Sequence, residues 1–154
     1  MAVTLEPMSP EDTGPWLEQS KADHLADRVD TGEDPETARR ITDATSDSLF
    51  PGGVPAPGQF VFAVTEDALP VGSLWIGAGR DGPPDVWWLW SIEIDVAARG
   101  HGLARQAIRL AEEFARQGGA TKLELNVFGN NTVARGLYES LGYRTLTIQM
   151  SKVL

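Results

Sequence analysis

The chain contains no cysteine among its 154 residues. This absence excludes disulfide bonds, thiolate metal sites and a cysteine nucleophile, and it favours a cytoplasmic protein. Histidine is also scarce, with two residues and no His-x-x-x-His or Glu-x-x-His spacing between or near them. Because such spacings typically supply metal ligands from a helix, we expect no metal site.

Long apolar runs and positive charge are scarce as well. No stretch approaches the ~20 apolar residues of a transmembrane helix. The segment MAVTLEPMSPED lacks the basic region and apolar core of a signal peptide. Lysine and arginine number 13 against 22 acidic residues, which gives a net charge of −9. We therefore expect neither a nucleic-acid nor a membrane partner. The charge favours a cationic ligand, although solubility alone also accounts for it.

The remaining pattern predicts one α/β domain over residues 1–154, with a mixed sheet and the order β-α-α-β-β-β-α-β-α-β. The first two helices are predicted to begin at the capping residues Ser9 and Asp34, each followed by proline. They should end near residue 28 and residue 49, and the later helices should span about residues 103–117 and 131–142. Strands are predicted at residues 2–6, 59–66, 69–78, 86–96, 122–128 and 143–154.

The segment IEIDVAARGHGLARQ joins an apolar strand to a helix through two glycines. Such a turn leaves the first backbone N–H groups of the helix unpaired, and the helix dipole favours an anion there. The P-loop pattern is absent, and Arg105 stands where a dinucleotide fingerprint needs its third glycine. The turn is therefore either a phosphate-binding site of another kind or a tight connection without a ligand.

Two motifs in this order carry a family resemblance. RGHGLA resembles the acyl-CoA-binding pattern [Q/R]-x-x-G-x-[G/A] of the GNAT superfamily of N-acetyltransferases, through Arg99, Gly102 and Ala104. NNTVARGLYESLGY resembles the later family pattern N-x-x-A-x-x-L-Y-x-x-x-G-[F/Y]. Its matching residues are Asn131, Ala134, Leu137, Tyr138, Gly142 and Tyr143. The close match covers about residues 86–154, and the first half fits only in its order of elements.

The resemblance implies a GNAT-like acyltransferase fold with a splayed central sheet and acetyl-CoA as cosubstrate. The implied pyrophosphate site is the glycine turn with its backbone amides: Arg99, Gly100, His101, Gly102, Leu103, Ala104 and Arg105. The implied pantetheine site is the backbone edge of Ile92, Glu93 and Ile94, together with Asn131. Tyr138 would face the thioester sulfur. Homodimers are common in the family, and the sequence leaves the oligomeric state open.

Acetyl transfer to an amine needs a base for the ammonium and an acid for the leaving thiolate. Tyr138 is our candidate acid, although a core aromatic at this helical spacing is the alternative. Glu93 is our candidate base because it lies in an apolar strand, where burial would raise its pKa. Simple alternation puts Glu93 on the opposite face from Trp88, Trp90 and Ile92, and a β-bulge would change that parity.

Several residues hold weaker or alternative roles. Asp95 and Glu124 are weaker candidate bases, a water relay would replace any fixed base, and Asn126 would orient such a water. We interpret His101 as part of the phosphate turn and not as a catalytic histidine. The tryptophans at positions 87, 88 and 90 line an acceptor pocket or, more commonly, a core. The expected acceptor is a primary amine of a small molecule or a protein; the alternative is a non-catalytic acyl-CoA sensor or interaction domain.

Overall fold

The computed structural model describes residues 2–154. The strands are β1 (Val3–Pro7), β2 (Gln59–Glu66), β3 (Leu69–Ala78), β4 (Val86–Ile94) and β5 (Lys122–Glu124). The helices are α1 (Pro10–Asp30), α2 (Pro35–Leu49), α3 (Leu103–Gln117) and α4 (Thr132–Ser140). Within residues 2–154, none of these helices is both long and apolar enough to cross a membrane.

The first two helices begin where the sequence predicts. The Ser9 hydroxyl accepts from the Asp12 amide at 3.1 Å, and the Asp34 carboxylate accepts from the Thr37 amide at 2.9 Å. Each bond satisfies one of the amides that a helix start leaves without an internal partner. The two capping predictions are therefore confirmed.

The sheet has the order β1-β2-β3-β4-β5. The first four strands are antiparallel to their neighbours, and β5 is parallel to β4. The two parallel strands pair only between residues 86–88 and residues 122–124. Beyond Trp88, β4 continues to Ile94 with β3 on one side. On the side of β5, no strand within residues 2–154 pairs with this part of β4. The mixed sheet is therefore splayed between β4 and β5.

Two apolar clusters cover opposite faces of the sheet. Beneath α3, the buried residues include Leu74, Ile76 and Leu89 from the sheet and Ile108 from the helix. On the other face, α1 and α2 pack on a smaller cluster that consists of Leu17, Leu49, Phe50, Val61 and Trp75. Both faces of the central strands are thus covered, which explains why the strand at residues 86–94 is apolar almost throughout.

Two predicted strand ends and one predicted strand are wrong. The strand predicted at residues 86–96 ends at Ile94, because Val96–Ala98 form a short 3-10 turn. The strand predicted at residues 122–128 ends at Glu124, where its pairing with β4 stops. The final strand predicted at residues 143–154 does not form in the structure. Its alternating pattern supplies one apolar face, but a strand must also pair with a neighbouring backbone edge, and this segment pairs with none within residues 2–154.

Candidate functional site

The glycine turn leads directly into the first turn of α3. Gly100 and Gly102 have φ angles of 85° and 75°, in the left-handed region that glycine adopts without strain. No side chain caps the helix, and its first backbone bond runs from Gln106 N to Gly102 O at 3.2 Å. Among residues 2–154, no turn, cap or side-chain hydrogen bond uses an amide of residues 100–105 as donor. The turn therefore presents consecutive unpaired N–H groups, which suit an anion.

The carboxyl-terminal half of β4 exposes a backbone edge next to this turn. Asp95 N donates to Val71 O at 2.9 Å across to β3. Because antiparallel pairs alternate between bonded and non-bonded residues, the Glu93 backbone also faces β3, whereas the Ile92 and Ile94 groups face the gap beside β4. The Arg99 Nε donates to Ile94 O at 2.8 Å. The groups left at the gap are both backbone groups of Ile92 and the N–H of Ile94.

A β-bulge reverses the side-chain parity within β4. Trp75 lies opposite Ser91 and Ile76 lies opposite Leu89, so Trp90 is the extra residue. Before the bulge, Leu89 packs beneath α3; after it, Ile92 does so as well. Glu93, the next residue after Ile92, therefore points to the opposite face, which is the face where Trp90 packs. In the folded chain Glu93 therefore lies on the face of Trp90, and the objection from simple alternation does not apply to it.

Two acidic groups of α1 lie near enough to Glu93 on that face to affect its pKa. Burial is the main cause that raises the pKa of Glu93, and the nearby Asp23 carboxylate raises it further. The Arg99 guanidinium opposes this shift, and Asp95 and Asp27 add to it weakly. Because Glu93 also remains in contact with solvent, it is a carboxylate whose proton affinity is increased while it stays accessible. This combination suits a general base.

No individual residue in the carboxyl-terminal half of α1 was identified as part of the site from the sequence. Asp23 and Asp27 stand four positions apart on one helical face, near Glu93. Between them, the His24 ring lies 5.9 Å from the Phe128 ring, which follows β5. Helix α1 thus contacts both sides of the splay. The Asp-x-x-x-Asp spacing was the available signal, but it looks like an ordinary solvated helix face.

The candidate residues of the second motif lie in and before α4. Asn131 caps this helix, and its Oδ1 accepts from the Ala134 amide at 3.2 Å. Tyr138 is half-buried, and burial raises the pKa of its hydroxyl. Its ring lies 5.9 Å from that of Tyr143 and packs against the cluster beneath α3. The hydroxyl therefore stays protonated at neutral pH and is a competent proton donor.

The remaining candidates are more peripheral. His101 is exposed, with Nδ1 3.3 Å from Ala98 O, which agrees with its interpretation as a turn residue. Arg105 donates to the Ser140 hydroxyl at 2.7 Å and so connects the start of α3 to the end of α4. Glu124 is half-buried beside Trp88 in the register of β5, and Asn126 is exposed.

A cavity of about 650 Å³ lies beside β5 and α4. Tyr138 and Asn126 contribute to its walls, but the glycine turn does not. The backbone geometry of the turn and of β4 is therefore better evidence for an anionic ligand than this cavity is. No group of three or more His, Cys, Asp or Glu side chains within residues 2–154 is arranged to hold a metal ion.

Known proteins include chains that are similar to this one in sequence and in fold. The sequence profile of the acetyltransferase (GNAT) family matches residues 19–143. YycN of Bacillus subtilis (strain 168), an uncharacterized N-acetyltransferase, is 30% identical over 156 residues, covering 100% of both chains. A crystal structure of YycN matches with a TM-score of 0.88 over 99% of each chain, at 30% identity. The L-2,4-diaminobutyric acid acetyltransferase of Streptomyces coelicolor (strain ATCC BAA-471 / A3(2) / M145) is 35% identical over 85 residues, covering 53% of this chain and 49% of that one.

The profile covers the glycine turn, the splayed strands and the tyrosine of α4, and the full-length relative extends the match to the first half of the chain. The chain belongs to the GNAT family of acetyltransferases.

Proposed function

We propose that this protein is an N-acetyltransferase that moves an acetyl group from acetyl-CoA directly to a primary amine. The observation that carries the proposal is the run of unpaired amides at residues 100–105 beside the open edge of β4. The family match supports the class of reaction. The chain has no cysteine, so a thiol-bound acyl-enzyme has no nucleophile, which favours direct transfer.

The residues at this opening fit the chemical groups of coenzyme A. Its pyrophosphate carries negative charge, which the amides of the glycine turn and the dipole of α3 would stabilise. Its pantetheine arm carries amide groups, which would pair with the free Ile92 groups and the Ile94 N–H. When bound, the cosubstrate supplies an acetyl thioester, whose thiolate is a good leaving group.

In the proposed mechanism, Glu93 accepts a proton from the acceptor ammonium, either directly or through a water molecule. Its raised pKa supports this role, because a carboxylate with stronger proton affinity is a better base as long as it remains ionised at neutral pH. Asn126 is proposed to orient the water in the relayed variant. Removal of the proton gives a neutral amine with a lone pair that attacks the acyl carbon.

Tyr138 is the proposed acid. As the carbon–sulfur bond breaks, its hydroxyl donates a proton to the departing sulfur, and the resulting phenolate takes up the second proton that the acetylated nitrogen must lose. Burial supports this role because it keeps the hydroxyl protonated before the reaction. The splay explains how two groups on opposite faces would serve one reaction. Tyr138 packs on the α3 side of the sheet and Glu93 faces α1, so a substrate lying in the gap between β4 and β5 would be reached from both sides.

We further propose a small cationic amine as acceptor. Asp23, Asp27 and Glu93 carry negative charge on the α1 side, and the Trp88 and Trp90 rings stack there with centroids 5.4 Å apart. Carboxylates and tryptophan faces both attract ammonium groups. The relative named L-2,4-diaminobutyric acid acetyltransferase acts, by its name, on a small amino acid that carries two amino groups. The proposed location is the cytoplasm.

Two measurements test this function in sequence. Thermal unfolding with acetyl-CoA, NAD or ATP should show a rise in melting temperature with acetyl-CoA alone, since selective binding stabilises the folded state. CoA release is then measured against a panel of diamines, polyamines, aminoglycosides and N-terminal peptides. Binding without turnover on any amine would favour a non-catalytic sensor, and no shift with any CoA species would refute the proposal.

A further inference from the structure

A serine hydroxyl lies across the strand pair from the candidate base. Ser73 of β3 is directly opposite Glu93 of β4 in the antiparallel register. Directly opposite residues of such a pair point to the same face of the sheet, with Cβ atoms about 4.5–5.5 Å apart. The neighbouring pair, Leu74 and Ile92, packs on the α3 side. The side chains of Ser73 and Glu93 therefore both point to the α1 side.

Helix α1 holds this hydroxyl through a tryptophan. The Trp16 Nε1–H donates to Ser73 Oγ at 3.0 Å. The Trp16 ring is itself fixed, because it lies 6.0 Å from the buried Trp75 ring and 5.8 Å from the buried Phe50 ring. A serine hydroxyl accepts through its lone pairs and donates through one O–H. Within residues 2–154, the bond from Trp16 is the one hydrogen bond of the Ser73 side chain, so its O–H is available as a donor.

The surroundings of Glu93 mostly favour its protonated form. Burial is the main cause that raises the pKa of this carboxyl, and Asp23, Asp95 and Asp27 raise it further. Among the charged groups that act on it, Arg99 alone lowers this pKa. Within residues 2–154, the Glu93 carboxylate takes part in no side-chain hydrogen bond or ion pair. A hydrogen bond donated to the ionised carboxylate would keep it charged and would fix its direction.

Close packing of β3 against β4 fixes the two side chains relative to each other. Gly72 precedes Ser73, and a Cβ added at Gly72 would overlap the Glu93 carbonyl oxygen and would stand 3.1 Å from the Ile94 Cα. Glycine in a strand is typical of a place where another backbone approaches closely. The backbone of Glu93 is therefore held tightly by β3, and its side-chain torsions decide where the carboxylate lies.

We propose that Ser73 is a positioning residue for the candidate base: its O–H, held by Trp16, donates to one carboxylate oxygen of Glu93 and aims the other at the acceptor amine. The inference rests on the proposed function, because it concerns the base of that reaction. The ammonium proton goes to the second oxygen of Glu93, while Ser73 keeps its own proton. A hydroxyl that accepts one hydrogen bond is polarised and donates the next more strongly. Trp16, Ser73 and Glu93 thus form one chain from α1 through β3 to β4.

Titration of the Glu93 carboxyl tests this contact without any cosubstrate. Carbon-13 NMR of the full chain follows the carboxyl signals with pH, and Glu93→Gln assigns the signal of Glu93. Ser73→Ala removes the donor, so the Glu93 pKa should rise. A mere loosening of the strands would instead admit water and lower this pKa, because burial is the main cause that raises it. Ser73→Thr keeps a hydroxyl and should restore the wild-type titration. An unchanged or lowered pKa in Ser73→Ala, or equal titrations of the Ala and Thr variants, would overturn the proposal.

Kinetics tests the same contact in the reaction. With an amine that the wild type acetylates, Ser73→Ala should lower kcat/KM about threefold, as expected for one hydrogen bond of modest net strength. The acid limb of its pH profile should move to higher pH, opposite to the shift expected for Asp23→Asn. The control is Thr4→Val, which removes a hydroxyl from a cross-strand pair between β1 and β2 and should leave the profile unchanged.

A double-mutant cycle tests whether Trp16 acts through Ser73. Trp16→Phe keeps the ring and removes the N–H, so it should shift the acid limb in the same direction by less. In the Ser73→Ala background it should add little, because the two groups belong to one chain. Fully additive effects would refute the chain. Absence of turnover with every amine would overturn the proposed function, whereas a raised Glu93 pKa in Ser73→Ala would still establish the hydrogen bond.

Discussion

The two halves of β4 differ in how their backbone groups are used. Residues 86–88 pair with β5 on one side, and residues 87 and 88 also pair with β3 on the other. Residues 92–94 pair with β3 alone, and their other edge faces the splay. Hydrogen bonding on both sides fixes the first half in the sheet, whereas the second half keeps unpaired backbone N–H and C=O groups to which a ligand can bond. One strand therefore serves as a structural element at its start and as a binding surface at its end.

The bulge at Trp90 separates these two halves. It lets Leu89 and Ile92 pack on the same α3 side although they stand three positions apart. Without the extra residue, Ile92 would face α1 and Glu93 would be directed into the apolar core, where an unpaired carboxylate is strongly unfavourable. The bulge thus allows a continuous core and a solvent-accessible carboxylate on one strand.

The largest expected effect is on the stability of the fold and concerns residues 86–88, the half of β4 that pairs with β5. Trp87 is buried, its ring stacks on Phe60 at 5.6 Å, and Phe114 lies 6.2 Å away. Trp87→Ala should lower the free energy of unfolding by about 3–5 kcal/mol, through lost contacts and the cavity that remains. Urea unfolding measures this change. A loss under about 1 kcal/mol would contradict the structural role of this half.

The next effect is on turnover and concerns Tyr138. Tyr138→Phe keeps the ring and removes the proton donor, so kcat should fall about 100-fold, at the lower end of what a general acid contributes. Thermal stability should change little, because the hydroxyl makes no hydrogen bond within residues 2–154. CoA release under saturating amine measures kcat. The control is Tyr143→Phe, which removes the bond to Glu112 and should act on stability more than on kcat.

Binding at the glycine turn should respond next. Gly102→Val places a β-branched residue at a φ of 75°, which costs about 1–3 kcal/mol, and it puts a side chain over the unpaired amides. Acetyl-CoA affinity, measured by calorimetry, should fall by about tenfold or more. Gly82→Val, at a surface turn without a positive φ, is the matched control and should leave affinity unchanged. Equal affinities in all three proteins would remove the turn from the cosubstrate site.

The sequence predicts the local elements better than the pairing between strands. Caps, hairpin and the helix after the glycine turn follow from local patterns, so Ser9, Asp34 and the start of α3 lie where expected. The bulge at Trp90 does not, because a bulge depends on how one strand aligns with its neighbour. The same reason explains the short β5 and the missing final strand, since pairing is decided by a partner edge and not by alternation alone.

The proximity of Asp23 and Asp27 to Glu93 also depends on tertiary structure. These residues are about seventy positions apart along the chain. Their approach follows from packing of α1 across the splay, which Trp16 helps to fix by donating from Nε1 to the Ser73 hydroxyl at 3.0 Å. The family motifs predicted individual residues on the cosubstrate side of the site. For the acceptor side the resemblance implied only the first two helices and their loops, about residues 9–60, and the individual residues Asp23 and Asp27 emerged from the fold.

Glu93→Gln tests the chemistry of the open half. The amide cannot accept the proton, so kcat/KM should fall about tenfold, with residual activity through a water relay. In the wild type, activity should rise with pH through the raised pKa of Glu93, and this rise should be lost in the variant. A pH profile of kcat/KM measures both changes. An unchanged profile would assign the base to another group.

The same substitution has a defined effect on stability. Folding raises the pKa of Glu93, so the protonated form is the one that folding favours. Its contribution to stability is complete below the unfolded pKa and is lost as pH rises through the folded pKa. Glu93→Gln removes this pH-dependent loss of stability. The difference in melting temperature, variant minus wild type, should therefore be larger at neutral pH than at acid pH.

The smallest expected effect is at Asp23, which acts on Glu93 through charge alone. Asp23→Asn removes a negative group that raises the Glu93 pKa, so the acid limb of the pH profile should move to lower pH. It also weakens attraction of a cationic amine, and the KM for the acceptor should rise about two- to threefold, as expected for one partly solvated charge.

Glu18→Gln, which changes an exposed carboxylate on the same helix, is the control. Because the α1 side is proposed to hold the amine and the glycine turn to hold the cosubstrate, the KM for acetyl-CoA should stay constant in both variants. A parallel rise in both KM values would show that Asp23 acts on the whole fold and not on the acceptor side of the splay.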